Sequence, residues 1–470
     1  MDKRYVVYKR KTLPFIGIFH ELRKDALECM KKNSLLEGDV ITFQVMGREL
    51  MQVNHPDIVK HVLMTNHKNY YKSQSNIRFE TVLGKGLFTS NGEKWRRDRQ
   101  KIQPMFKREQ IEGYYFEVVN SVSEKYKKRW LSLANTKNEE INLAEEMSAL
   151  TTEIVLKIIF GKDNLDETAV KTLYKSYNYL LDHLKYQRIL PKVDFHKIFR
   201  TRAHRLFKEE MTQVETILER VSEQYKTGAS SDKYNFVALL LEAQKEYPEY
   251  FSKQDIVDQA MSMVLAGFET TSLLLQWMWY ALDSHPDIRQ KLRAEITQHA
   301  PVALQTDSSA LTYEAVSKMH YLLAAFREAM RMYPPAWATT RMPIEDDYIG
   351  DLKLERNCTI VLPQFIMHRH PRWWKEPDSF IPERFLPENE NSIDPGLYFP
   401  FSQGPRKCIG YRLAEVEVCV IFAKLLPFFD VTLFNAKDNG FDPGITLKFK
   451  HPLRASIRRA PIPEQLPKAV

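Results

Sequence analysis

Between residues 377 and 405 prolines stand at 377, 382, 387, 395, 400 and 405. Each removes a backbone donor and holds φ near −65°, so neither a helix interior nor a central strand tolerates the spacing. The segment must be a long irregular loop. Loops of that length are uncommon unless they are functional or disordered. Here Phe380, Phe385, Tyr398, Phe399 and Phe401 supply packing groups that argue against disorder. The loop runs directly into Cys408, and a helix is expected to begin near Gly410.

The other strong constraint is a helical stretch from Lys253 to about Leu282. Ser252 and Asp255 form a candidate capping box, and Ser284-His285-Pro286 ends the helix. Its middle, Met261–Phe268, is apolar on every side, as in a helix buried through the centre of a protein. Residues 40–53 read as two short strands with Gly47 and Arg48 at the turn, and a helix is expected from Pro56. From there to about residue 335 the apolar spacing is mostly helical. No repeat and no linker divides the chain. The expected architecture is mainly α with a small β-rich lobe from about 36–70 plus 335–365, in a single domain over 1–470.

The chain of 470 residues carries a formal charge of +8. That excess is modest, and no basic run or recognition module points to nucleic acid. The cysteines, Cys29, Cys358, Cys408 and Cys419, include no CxxC pair and form no disulfide framework, which suits a reducing, cytoplasmic setting. The apolar run LPFIGIF is broken by Pro14 and Gly17, and nowhere do about 18 apolar residues follow one another, so no membrane span is expected. The basic start remains able to touch a membrane surface.

Chemistry concentrates in Phe401-Ser-Gln-Gly404-Pro-Arg406-Lys-Cys408-Ile-Gly410. A cysteine just before a helix start sits near oriented N–H groups, which favour the thiolate, and a thiolate is a strong donor to haem iron. Gly404 and Gly410 allow tight turns and close approach to a flat ring. Phe401 can shield the sulfur, and Arg406 can pair with a haem carboxylate. A lone cysteine is ordinarily a small buried hydrophobe; it is the agreement of five positions that singles this one out. The stretch resembles the cysteine-ligand loop of the cytochrome P-450 family of haem-thiolate monooxygenases. The resemblance implies Cys408 as axial ligand to the iron of haem b.

Further motifs follow the same family in order, from about residue 36 to about residue 455. Glu328 and Arg331 share a helix face; the resemblance implies that Arg384, from Pro382-Glu-Arg-Phe385, joins them in a buried structural triad. Ala266-Gly267-Phe268-Glu269-Thr270-Thr271 lies within the long helix. A bond from Thr270 back to the Ala266 carbonyl is the ordinary local expectation, and beside Gly267 it would widen the helix into a groove. The resemblance implies that Thr270 and Glu269 deliver protons during oxygen activation, with Ala266 and Gly267 against the cofactor. Trp95 and Arg99, one turn apart, and Arg341 match the family's propionate donors beside Arg406.

The family fold, an O₂-dependent monooxygenase activity and a soluble bacterial type are what the resemblance implies, although the Trp-Arg helix and the Glu-Thr-Thr signature are similar to the microsomal branch. With no appended reductase, electrons are expected from a separate ferredoxin and its NAD(P)H-dependent reductase, docking on a basic face of Arg97, Lys101, Lys407 and Arg412. A monomer is expected. By resemblance the substrate pocket is lined from the segment around Gln74–Leu83, the region near His183–Gln187, the stretch Met263–Ala266, and Trp337–Thr339 with Ile445–Thr446 opposite. The candidates are His183, Met263, Trp337, Thr339 and Thr446, with Gln74, Asn76, Arg78, Tyr186 and Gln187 adding polar side chains. Their polar character favours a small methoxylated compound, such as a methylated sugar or aromatic, undergoing oxidative O-demethylation. Fatty-acid or terpenoid hydroxylation is the alternative, and a peroxygenase or isomerase working without a redox partner is the alternative of another class.

Overall fold

The computed structural model describes residues 4–73, 80, 84–135, 140–161, 168, 202–227, 234–300 and 311–461. The helices that position the site are α1 (Gly92–Ile102), α2 (Phe116–Leu133), α3 (Leu143–Phe160), α4 (Lys253–Ser284), α5 (His320–Met332) and α6 (Tyr411–Leu425). The β-rich lobe is built on β1 (Val7–Lys9), β2 (Val40–Val45), β3 (Arg48–Val53), β4 (Tyr70–Lys72), β5 (Thr339–Pro343) and β6 (Thr359–Leu362). Among the described residues these form one sheet in the order β1-β2-β3-β6-β5-β4. Its outer strand β1, paired parallel to β2, starts well before the lobe's expected beginning near residue 36. The β2–β3 turn is made by Met46 and Gly47, at φ of +50° and +75°, while Arg48 already belongs to β3.

The central helix forms where the sequence placed it. Ser252 accepts from the Asp255 N–H while the Asp255 side chain accepts from the Ser252 N–H, so both cap donors are satisfied. The helix is α throughout from Lys253 to Ser284. It packs most intimately on α3. A Cβ on Gly267 would lie 2.5 Å from Val155 Cγ2, and Thr151 Oγ1 donates to the Phe268 carbonyl at 3.0 Å. Small residues at this crossing let the two backbones approach closely.

The main core gathers apolar faces of α2, α3, α4, α5 and α6. Within it Trp277 stacks on Tyr333 with centroids 4.7 Å apart, and its indole N–H donates to the Leu447 carbonyl at 3.3 Å. That bond ties the central helix to a hairpin of β7 (Phe441–Pro443) and β8 (Leu447–Phe449). The proline-rich segment holds only short helical turns, at Pro382–Phe385, Pro387–Glu390 and Gly404–Arg406, and it is anchored by buried Phe380, Phe385 and Phe399. No helix among the described residues is long and apolar enough to cross a membrane.

Candidate active site

The proline-rich loop delivers Cys408 to the wall of a large cavity that opens to the surface, about 2160 Å³ in volume. The Cys408 N–H donates to the Phe401 carbonyl at 2.9 Å, and Lys407 N–H donates to Gly404 O at 2.9 Å. Gly404 has a φ of +66°, and a Cβ there would sit 2.0 Å from the Leu63 carbonyl oxygen. Its missing side chain therefore seats the loop against residues 61–65, and not against the cavity as expected. Gly410 caps α6, and a Cβ on it would meet nothing within 4 Å. Burial pushes the Cys408 thiol up, while the Gly410 N–H, Arg99 and Lys407 pull it down. A metal cation at the sulfur would supply the compensation.

Phe401 lines the cavity beside the sulfur and packs parallel to Phe326 at 6.4 Å. The polar wall is cationic: Lys72, Arg99, Arg341 and Arg406 all border the same space. Arg406 lies 4.0 Å over the ring of buried Trp95, and Arg99 is held by the Lys407 carbonyl at 2.9 Å. Arg341 donates to Thr340 O at 3.0 Å. Burial, then the Arg406 charge, lowers Arg341 to about 9; Arg406 is itself lowered to about 10, mainly by burial. Lys72 is pushed well down by burial and by Arg406, Arg341 and Arg99. Cations that depress one another in a shared cavity wall call for anions between them. Lys72 was missed in the sequence because an exposed-looking Tyr-Tyr-Lys strand carries no motif.

On the central helix Met263, Ala266, Thr270 and Leu274 face the cavity. Thr270 Oγ1 donates to the Ala266 carbonyl at 2.7 Å, as expected. Two neighbours do not share this face, since one residue turns a helix by about 100°. Gly267 abuts α3 and does not reach the cavity. Glu269 is buried behind Thr270 in a close ion pair with Lys448 of β8. The expected acid–alcohol pair thus has only its alcohol on the cavity side.

Glu328, Arg331 and Arg384 come together. The first two are fully buried and joined by two bonds of 2.7 and 2.8 Å. Arg331 also donates to the carbonyls of His368, Pro377 and Ser379, so all five of its N–H groups are used. Arg384 Nε stands 3.5 Å from Glu328 Oε1, and the Ile381 N–H donates to the same oxygen at 2.8 Å. This cluster clamps the start of the proline-rich loop to α5, away from the cavity, and supports the loop that carries Cys408.

Of the expected substrate-lining residues, Met263, Trp337 and Thr339 border the cavity. Trp337 has its indole N–H fixed on the Gly444 carbonyl at 3.1 Å. Thr446 is buried with its hydroxyl unpartnered and does not reach the cavity; Gly444 and Ile445 do. His183 and most of the 74–83 segment lie outside the described residues.

The cavity therefore offers one sulfur donor and a wall of half-buried cations, with Arg341 buried among them, beside an indole. These fit a flat iron-bearing ring with two carboxylates: Cys408 would hold the metal, while Trp95, Arg99, Arg341, Arg406 and Lys72 would hold the carboxylates. Comparison with known proteins points the same way. Residues 9–449 match the family Cytochrome P-450. Cyclooctatin synthase of Streptomyces melanosporofaciens is 30% identical over 389 residues, covering 83% of this chain and 82% of that one. Cytochrome P-450 3A6 of Oryctolagus cuniculus is 28% identical over 437 residues (90% and 85%), and cytochrome P-450 3A17 of Cavia porcellus is 26% identical over 440 residues (89% and 84%). This chain belongs to the cytochrome P-450 family, whose members are monooxygenases that carry haem b on a cysteine thiolate.

Proposed function

We propose that the chain inserts one O₂-derived oxygen atom into a C–H bond of a bulky, mainly apolar molecule, of terpenoid or fatty-acid type. The observation that carries this is the cavity lining contributed by the central helix, the Trp337 segment and the outer hairpin: Met263, Ala266, Leu274, Trp337, Ala338 and Ile445 stand there with few hydroxyls, Thr270 and Thr339 among them. Trp337 borders the cavity with its one polar atom already bonded to Gly444, so what it offers a substrate there is apolar. When bound, haem supplies the activation of O₂. Thr270, with its hydroxyl proton on the Ala266 carbonyl, keeps its lone pairs free to accept from a water in the cavity. Glu269 and Lys448 store charge just behind it and link the cavity wall to the outer hairpin.

Oxidative O-demethylation is the second reading, favoured by the Thr339 hydroxyl on the cavity wall. Most of the polar residues behind it, His183 among them, lie outside the described residues. The chain works as a single haem domain and a cytoplasmic monomer, fed by a separate ferredoxin and its NAD(P)H-dependent reductase. The basic groups Arg97, Lys101, Lys407 and Arg412 are suited to an acidic partner, although Lys101 and Lys407 already lie over Tyr247 and Tyr411.

The test is turnover with O₂ and a ferredoxin system on terpenes, fatty acids and methoxylated sugars or aromatics. Hydroxylated apolar products are expected. Formaldehyde from methoxylated compounds alone would favour demethylation, and equal turnover with peroxide and no reductant would favour a peroxygenase. Thr270→Ala should keep substrate affinity and lower the product formed per NAD(P)H consumed.

A further inference from the structure

Leu87 and Phe88 both border the cavity, and the stretch that carries them is held from two sides. One side is the central helix. The Lys85 N–H donates to Asp258 Oδ2 at 2.7 Å and the Leu87 N–H donates to Gln259 Oε1 at 2.8 Å, both side chains of α4. The approach is close: a Cβ on Gly84 would lie 2.1 Å from Asp258 Oδ1, and one on Gly86 would lie 2.2 Å from Ser262 Oγ. Gln259 also donates to Asp98 Oδ2 at 2.9 Å, which extends the strap to α1. Every group in this anchor belongs to the protein.

The other side is the cationic wall. The Lys72 ammonium donates to the carbonyl of Leu87 at 3.2 Å and to that of Phe88, and it stands 5.5 Å from the centre of the Phe88 ring. Arg406 reaches the next free carbonyl of the same stretch, that of Ser90, at 3.4 Å. The Lys72 backbone N–H donates to Asn91 Oδ1 at 3.1 Å, at the entry to α1. An ammonium has three N–H groups. Among the described residues Lys72 spends two on these carbonyls, and the third is left for the cavity that it borders.

This second anchor depends on an anion. Lys72 lies opposite Arg341 in the β4–β5 register and shares its wall with Arg99 and Arg406. Among the described residues the partners of all four are neutral: backbone carbonyls, the Gln103 amide, the Ser402 hydroxyl and the Trp95 ring. Like charges in one wall repel, and two carboxylates placed among them would remove that repulsion and hold the ammonium where it grips the loop. The grip of α4 on Lys85 and Leu87 is independent of the cofactor, and that of Lys72 on Leu87 and Phe88 is not. We infer that Lys72 couples the carboxylates of the cofactor to the Leu87–Phe88 stretch, and is thereby a positioning residue: loading the cofactor fixes the part of the cavity wall from which Leu87 and Phe88 meet a substrate. The coupling requires the cofactor and no particular substrate class.

The experiment compares full-length holoprotein as wild type, Lys72→Met and Lys72→Gln, at matched haem content. Resonance Raman reads the bending band of the haem carboxylate side chains, which shifts when a hydrogen bond to them is lost. Hydrogen exchange followed by mass spectrometry reads the peptide over 84–91. Both variants should shift the band, and exchange in that peptide should speed up roughly tenfold, as the loss of two loop hydrogen bonds allows. Exchange in α6 should stay as in wild type. Two neutral replacements of different shape are used because either one that loads haem suffices. A shifted band with unchanged exchange would overturn the coupling, since Lys72 would then hold carboxylates and nothing else. Faster exchange with an unshifted band would overturn it equally, since Lys72 would then be a structural tie within the loop. Variants that match wild type in both readouts would remove Lys72 from the wall's machinery altogether.

Discussion

Replacing Glu417 by Gln should change how stability depends on pH, and the structure sets both sign and size. Glu417 lies in α6, the helix that follows Cys408; its side chain is buried and its Oε1 has no hydrogen-bond partner. Burial alone raises the carboxyl from 4.5 to about 8. Between those values the unfolded chain is ionised while the folded protein keeps its proton, so folding takes up a proton. The stability is fully present below about pH 4.5 and is lost progressively as pH rises towards 8. At about 1.4 kcal/mol per pH unit over most of that window, roughly 3 kcal/mol is lost between pH 5 and pH 8. Gln keeps the shape and removes the titration, while a carboxamide in the same place carries a desolvation cost that does not vary with pH. The readout is therefore the difference in unfolding free energy between variant and wild type, measured by urea titration at several pH values. That difference should move by roughly 3 kcal/mol in the variant's favour from pH 5 to pH 8. Parallel pH profiles would show that Glu417 is ionised in the folded protein or reaches a polar partner, and would refute the reasoning.

Cys408→Ser should abolish the far-shifted Soret band of the reduced carbon monoxide complex, whereas Cys29→Ala, Cys358→Ala and Cys419→Ala should preserve it; absorption spectra of the four variants decide this. Gly404→Ala places a Cβ 2.0 Å from the Leu63 oxygen at a φ of +66°, and should cost about 2 kcal/mol or more in thermal unfolding. Lys72→Met should speed haem loss to apomyoglobin several-fold, if Lys72 joins the arginines in holding the carboxylates; an unchanged rate would leave it a structural lysine bonded to Leu87 and Phe88.

The sequence by itself determined the features that depend on neighbours along the chain. Proline chemistry dictated the irregular loop from 377 to 405, the Ser252–Asp255 box dictated where the central helix starts, and the order of motifs around Cys408 pointed to the family. These are local because a missing N–H, a cap or an apolar period acts within a few residues. Tertiary structure decided everything that depends on direction in space. Glu269 and Thr270 are adjacent letters, yet helix rotation sends one to Lys448 and the other to the cavity. Gly404 was legible as a position of tight turning and close approach, but only packing shows that its close neighbour is Leu63 and that Gly267 abuts Val155. Lys72 joins Arg99, Arg341 and Arg406 only because β4 pairs with β5, with Lys72 opposite Arg341. The turns that carry Ile16 and Met46 meet only because Gly17 lets one cross the other. Long-range pairing of this kind leaves no periodic trace in the chain, because the partners are chosen by the fold and not by their spacing.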